Sequence, residues 1–287
     1  WLSFGISGFR IDAASHLIEA HGLPETRPRD QHGVLKDIRA LVESREPGAA
    51  LIGEADVPAE KLAPFFGDGD ELNLLFNFLL NNYFFLSLAR EEAGPILRAL
   101  AQLPAPPAAG QWANFARNLD ELDLERLPPA DREEVLDRFA PDEEMRIYGR
   151  GLRRRLAPMM EGDLRRIRLV FSLLFTLPGT PVVVYGDEIG MGEDLSQPGR
   201  NAVRLPMQWT GGRNGGFSTA ARSRLVQPAL ADGPFGYKKV NVAAQQGDPD
   251  SLLSWVRRLV QARRACPEFG FGTWHVVEID VPSVLAH

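Results

Sequence analysis

Five short apolar runs, at about residues 8–13, 50–55, 72–78, 111–118 and 181–188, alternate with stretches whose apolar residues recur at helix spacing. That alternation commits the chain to a parallel sheet covered by helices, an α/β fold. Parallel neighbours cannot be joined by a tight turn; they need a crossover of a dozen residues or more, usually a helix. The crossovers are present. Val34, Leu35, Ile38, Leu41 and Val42 follow the first run, Phe84 to Leu100 follow the third, and Ile167 to Leu177 precede the fifth. At 287 residues and 44% hydrophobic, the chain is long enough to bury a sizeable core.

Two of these runs end on a carboxylate, in Gly8-Phe9-Arg10-Ile11-Asp12 and Leu51-Ile52-Gly53-Glu54-Ala55. Glu54 follows Asp12 by 42 residues, so two neighbouring parallel strands can present both acids at their C-terminal ends. A retaining glycosidase needs that pair: one carboxylate attacks the anomeric carbon, the other protonates the leaving oxygen, and the two stand roughly 5 Å apart. A third acid, Asp120, closes Phe115-Ala116-Arg117-Asn118-Leu119-Asp120. Asp12 taken alone is also compatible with a helix N-cap. Arg10 argues otherwise, because it lies two residues before Asp12 on the same strand face, where it keeps that acid charged. Glu54 needs the opposite treatment, a raised pKa that keeps a proton near neutrality.

The segments GFRIDA, GEAD and NLDEL resemble signatures of the α-amylase superfamily, glycoside hydrolase family thirteen. The resemblance continues through Leu177-Pro178-Gly179-Thr180-Pro181 and Tyr185 to Met191 into Arg200 to Arg204 and Pro206-Met207-Gln208-Trp209. That second stretch is most similar to the trehalose-synthase branch and its α-glucosidase relatives. The resemblance implies that Asp12 is the nucleophile, Glu54 the general acid/base and Asp120 the stabiliser of the transition state. Candidate substrate-binding residues are Arg10, Asn118, Glu121 and Trp209. It further implies an α-glucoside-active enzyme of carbohydrate metabolism that interconverts maltose and trehalose by double displacement; the alternatives are an α-glucosidase or amylase hydrolase and an inactive fragment. The partner is a small oligosaccharide: maltose, trehalose or a malto-oligosaccharide. Where the family carries a histidine before the third acid, this chain has Leu119, which cannot donate to a sugar hydroxyl.

The resemblance identifies the five strands as strands four to eight of a (β/α)8 TIM barrel. Residues 1–270 are then a partial catalytic barrel and residues 271–287 the start of an antiparallel β C-terminal domain. An open five-stranded piece would leave two unpaired parallel edges and half a pocket, and is expected to be poorly stable alone. No cofactor is required for this chemistry, although the resemblance leaves room for a structural calcium ion.

Composition excludes other classes. A net charge of −6 disfavours nucleic acid, and Arg153-Arg154-Arg155 and Arg165-Arg166 read as solvated helix faces or local salt bridges. His16, His21 and His32 match no compact zinc spacing, so no metal ligand is assigned. No apolar stretch is long enough to span a membrane, and the single Cys266 fits a reducing compartment, so a cytoplasmic location is expected. Residues 187–250 read as a long Gly- and Pro-rich insertion at the functional face of the barrel. A helix from Ser251 to Ala265, capped by Asp248-Pro249-Asp250, follows, and alternation over Thr273 to Ile279 predicts a strand. Phe76, Phe78, Tyr83, Phe84 and Phe85 read as core.

Overall fold

Strand and helix alternate as the apolar pattern predicts in a computed structural model that describes residues 1–18 and 31–287. In chain order, β1 (Gly8–Ile11) and the single turn α1 (Ala14–Leu17) precede α2 (Gly33–Arg45) and β2 (Ala50–Gly53). Then come β3 (Leu74–Phe76), α3 (Phe78–Arg90), α4 (Gly94–Gln102) and β4 (Gln111–Phe115). An excursion of β5 (Leu122–Asp123), α5 (Pro129–Phe139), β6 (Arg146–Ile147), β7 (Gly151–Leu152) and α6 (Leu156–Met159) leads to α7 (Leu164–Thr176). The chain closes with β8 (Thr180–Val182), α8 (Val242–Gln246), α9 (Leu252–Ala265) and α10 (Glu268–Phe271).

Five strands form one sheet in the order β1-β2-β3-β4-β8, every pair parallel, while β5-β7-β6 form a small antiparallel sheet. Each parallel strand pairs with the next one in sequence, apart from the small-sheet excursion between β4 and β8. That is the winding of the C-terminal part of a (β/α)8 barrel. Gly8 lets β1 approach β2 closely, since a Cβ there would run into the Ala50 carbonyl oxygen. β8 ends at Val182, short of its apolar run, and Gly186, at φ 88°, then turns the chain into the short helical turn at Asp187–Ile189.

The helices pack through the spacing that predicted them. In α7 the buried residues are Ile167, Val170, Phe171, Leu174 and Phe175, one stripe of a 3.6-residue period. Asp163 starts this helix by accepting the Arg165 N–H at 2.8 Å. The main core joins that stripe to Leu79, Leu80, Phe84 and Phe85 of α3, Val135 and Phe139 of α5, and Leu252 and Val256 of α9. Burying each such side chain is worth roughly 1.5–3 kcal/mol. A second core packs Leu35 and Val42 of α2 on Leu51 and Leu75 of the sheet. Among the aromatic cluster, Tyr83, Phe84 and Phe85 are buried, and Phe76 and Phe78 are half-buried with their rings edge-on to Phe115.

Three expectations change. The helix from Phe84 to Leu100 is two helices, because Glu91 takes a left-handed conformation at φ 57° that ends α3. The cap of α9 is Ser251, whose hydroxyl accepts the Ser254 N–H at 3.2 Å, rather than the preceding aspartates. Beyond Gly272 no regular strand forms over Thr273 to Ile279. The chain instead doubles back through a turn at Val281 to Val284, bringing Val277 N–H to the Ala286 carbonyl at 2.9 Å in a single antiparallel contact. No helix of the described residues is long and apolar enough to cross a membrane.

Candidate active site

The register of β1 on β2 pairs Arg10 with Ile52 and Ile11 with Gly53, so Asp12 emerges beside Glu54. Two backbone bonds continue the pairing past the strand ends: Glu54 N–H to the Ile11 carbonyl (3.0 Å) and Ala14 N–H to the Glu54 carbonyl (2.7 Å). Leu51, Gly53 and Ala55 are buried on one face of β2 and its extension, which leaves Glu54 on the other face with Ile52. Arg10 and Asp12 likewise share a face. The Arg10 guanidinium joins the acids, with Nη1 donating to Asp12 Oδ1 at 2.6 Å and Nη2 to Glu54 Oε2.

The two carboxyls are pushed in opposite directions. A hydrogen bond with the Glu54 carboxyl, then Arg10, holds Asp12 below its ordinary value. Desolvation, then the hydrogen bond to Asp12, raises Glu54. Desolvation weighs on Glu54 because its side chain is only 25% exposed, against 77% for Asp12. Ala13, in the left-handed region at φ 43°, turns its N–H toward Glu54 Oε2 at 3.4 Å.

Asp120 lies beyond β4, on a turn in which its N–H is accepted by Asn118 Oδ1 at 3.1 Å. Asn118 is thus engaged by the backbone of the acid it precedes. Arg204 and Arg200, both from the long insertion after β8, meet Asp120 at Oδ1, at 2.5 and 3.0 Å. Arg204 also donates Nε to the Leu119 carbonyl at 2.8 Å. Arg200 continues to the buried Glu121, with Nε 2.6 Å from Oε2 and Nη2 3.0 Å from Oε1. The charge of Arg200 also reaches Asp12, as the least of the named influences that shift its pKa. Underneath, Arg117 donates to the Asp120 carbonyl at 3.1 Å, and burial lowers its pKa to about 10.

The candidate residues therefore divide. Arg10, Asp12 and Glu54 form one contact group, and Asp120 and Glu121 are joined through Arg200. Trp209 sits in the insertion, 49% exposed, with its N–H on the Gly215 carbonyl at 2.8 Å, outside the contacts that join the acids. Arg200, Arg204 and Arg117 were not singled out as site residues. Arg200 and Arg204 lie in a segment without periodic signal, and their partners in the site include residues 79 to 85 positions away, whereas Arg117 lies within the 111–118 run and its partners Asp120 and Arg154 are 3 and 37 positions away. The insertion itself is packed around Ile189, Met191, Leu205 and Met207.

Among the described residues no group of three or more His, Cys, Asp and Glu side chains is set to hold a metal ion. His32 Nδ1 lies 2.7 Å from Glu71 Oε2, and His21 falls outside the described residues.

The family profile described as alpha amylase, catalytic domain, matches residues 152–270. The trehalose synthase/amylase of Mycobacterium tuberculosis is 42% identical over 296 residues, an alignment that takes in 100% of this chain and 48% of the relative. The trehalose synthase of Thermus thermophilus is 42% identical over 289 residues, covering 100% of this chain and 30% of the relative. This chain thus spans half or less of the length of these curated relatives. In structure it is similar to an α-amylase from H. orenii, with a TM-score of 0.71 at 21% identity over 98% of this chain and 48% of the other.

Proposed function

The chain belongs to the α-amylase superfamily, and from that premise we propose that it acts on α-linked glucosyl disaccharides by double displacement with retention. The observation that carries this reading is the Asp12–Glu54 pair. The two carboxyls emerge side by side from adjacent strands, share Arg10, and are displaced in opposite pKa directions. Carboxyls in such contact belong with the short separation of retaining enzymes, roughly 5 Å, rather than the ~6.5–9.5 Å that leaves room for an attacking water in inverting ones.

In the first step a carboxylate oxygen of Asp12 forms a bond to the anomeric carbon as the glycosidic bond breaks, and Glu54 gives its proton to the departing oxygen. In the second, the Glu54 carboxylate takes a proton from an acceptor hydroxyl, which attacks the anomeric carbon and releases Asp12. Arg200 and Arg204 occupy Oδ1 of Asp120, so Oδ2 is the oxygen we assign to the sugar hydroxyls. The acceptor decides the product. Water yields glucose, whereas a retained glucose offering its anomeric hydroxyl converts maltose to trehalose. The 42% identity to trehalose synthases along the whole of this chain favours the second outcome.

Incubating the full chain with maltose and separating the products tests this. Trehalose with little glucose supports isomerisation, and glucose alone moves the reading to a hydrolase. No product from maltose, trehalose or a malto-oligosaccharide would overturn the enzymatic reading.

A further inference from the structure

Arg153, Arg154 and Arg155 follow β7 directly, and their guanidinium groups turn onto the insertion that supplies Arg200 and Arg204. Arg153 donates Nη1 to the carbonyls of Gln197 (2.6 Å) and Gly199 (3.4 Å), Nη2 to that of Leu195 (3.2 Å) and Nε to that of Glu144 (2.7 Å). Arg154 donates Nε to Glu193 Oε1 at 2.9 Å, and the Arg155 N–H takes the other oxygen of that carboxylate, also at 2.9 Å. The Arg155 side chain, buried, reaches Asp187 Oδ1 at 2.7 Å, the Tyr185 carbonyl at 2.5 Å and the Val203 carbonyl at 3.1 Å. Gly186 makes room for it, since a Cβ there would press on Nη2 of Arg155.

The grips fall at 185–187, 193, 195–199 and 203, so they flank Arg200 and end one residue before Arg204. The insertion has few regular elements, and its carbonyls lack the ladder partners that strands and helices provide. A guanidinium has five donors and can serve several such carbonyls at once. The same strip also holds the other partner. The Arg154 carbonyl accepts Arg117 Nε at 2.8 Å, and Arg117 holds the Asp120 carbonyl.

We propose that Arg153, Arg154 and Arg155 act as a positioning clamp that sets Arg200 and Arg204 against Oδ1 of Asp120, and so fixes where Asp120 meets the substrate. The catalytic consequence rests on the function proposed above; the structural one does not. A long insertion left to itself would sample many arrangements, and a displacement of about 1 Å at a catalytic carboxylate can cost on the order of 10²-fold in rate.

Arg153 is the position to change, because it contacts only carbonyls and its loss strands no buried carboxylate. In the full chain, Arg153→Gln and Arg153→Lys are compared with the parent by amide hydrogen exchange and by steady-state kinetics on maltose. The clamp predicts exchange at 195–204 faster by about tenfold or more with α3 and α7 unchanged, and kcat/KM lower by roughly 10- to 100-fold in Arg153→Gln. Arg153→Lys, which keeps the charge but not the fork, falls between; it also carries the comparison should Arg153→Gln not fold. Unchanged exchange at 195–204, or faster exchange with kcat/KM within about twofold of the parent, overturns the clamp. A parent without turnover on any α-glucoside would sink the proposed function instead, and exchange alone would then decide the clamp.

Discussion

Arg10 Nη1 donates to Asp12 at 2.6 Å while Nη2 of the same guanidinium donates to Glu54, so one cation is shared by two acids of opposite assigned role. Its effect on them is unequal. For Asp12 the arginine adds to a hydrogen bond that already favours the charged form, whereas for Glu54 it opposes desolvation without overcoming it. The pair therefore has a working range in which Asp12 is ionised and Glu54 holds its proton.

Replacing Arg10 with alanine is expected to move the acid limb of the kcat/KM profile to higher pH. The sign follows from Asp12: it must be charged to attack, and losing Arg10 removes a group that holds its pKa down. The rate at the optimum should fall by about 10²-fold, since the charged group organising both carboxyls is gone. Arg10 is partly exposed, so the fold should survive. A pH–rate profile with an unmoved acid limb would show that Arg10 does not govern Asp12.

Glu54→Gln should lose activity on maltose yet recover the first step with a glucosyl donor whose leaving group needs no protonation. A burst of leaving group equal to the enzyme concentration, followed by slow turnover, would mark the trapped glucosyl-enzyme, because the glutamine cannot activate the acceptor. Absence of the burst with such a donor would remove Glu54 from the role of acid.

The sheet was legible because its signal is local: five apolar runs bounded by loop residues gave five parallel strands in the expected order. The side-by-side placement of Asp12 and Glu54 was legible for the same reason, each following a strand end, with register doing the rest. The setting of Asp120 was not. Arg200 and Arg204 approach it from a segment without periodicity, held by the arginine run that charge pattern alone read as solvated helix faces or local salt bridges; Arg154 and Arg155 do form such bridges, to Glu193 and Asp187. Arg155 is 2% exposed, because five donors on one side chain can be satisfied by carbonyls and a carboxylate that sequence spacing does not reveal.

Leu119→His should raise kcat/KM. The backbone at this position is fastened by Arg204 Nε on the Leu119 carbonyl at 2.8 Å, and the side chain is only half-buried, so the exchange leaves the turn in place. An imidazole there can donate to a sugar hydroxyl, and a donor that tightens in the transition state is worth roughly 2–4 kcal/mol, or 10² to 10³ in rate. Kinetics on maltose for the parent and the variant measure the gain directly. An equal or lower rate would mean that the surrounding residues have adapted to leucine.

Asp56, two residues past Glu54, carries a cost that depends on pH. Burial raises its pKa to about 6 despite Arg126, whose Nε stands 3.1 Å away, and Asp123 and Glu125 oppose its charge while Arg150 favours it. In the unfolded chain it ionises near the ordinary 3.8. Below that both states hold the proton and the group is neutral to stability; between there and about 6 the unfolded state ionises first; above, the folded state bears the full cost. The displacement corresponds to roughly 3 kcal/mol at most. Asp56→Asn, which mimics the protonated form, should therefore match the parent near pH 4 and become more stable than it by about 1–3 kcal/mol at pH 7.5. Denaturant unfolding of the full chain across that range measures the difference. A variant less stable than the parent at pH 7.5 would show that the Arg126 ion pair outweighs the burial.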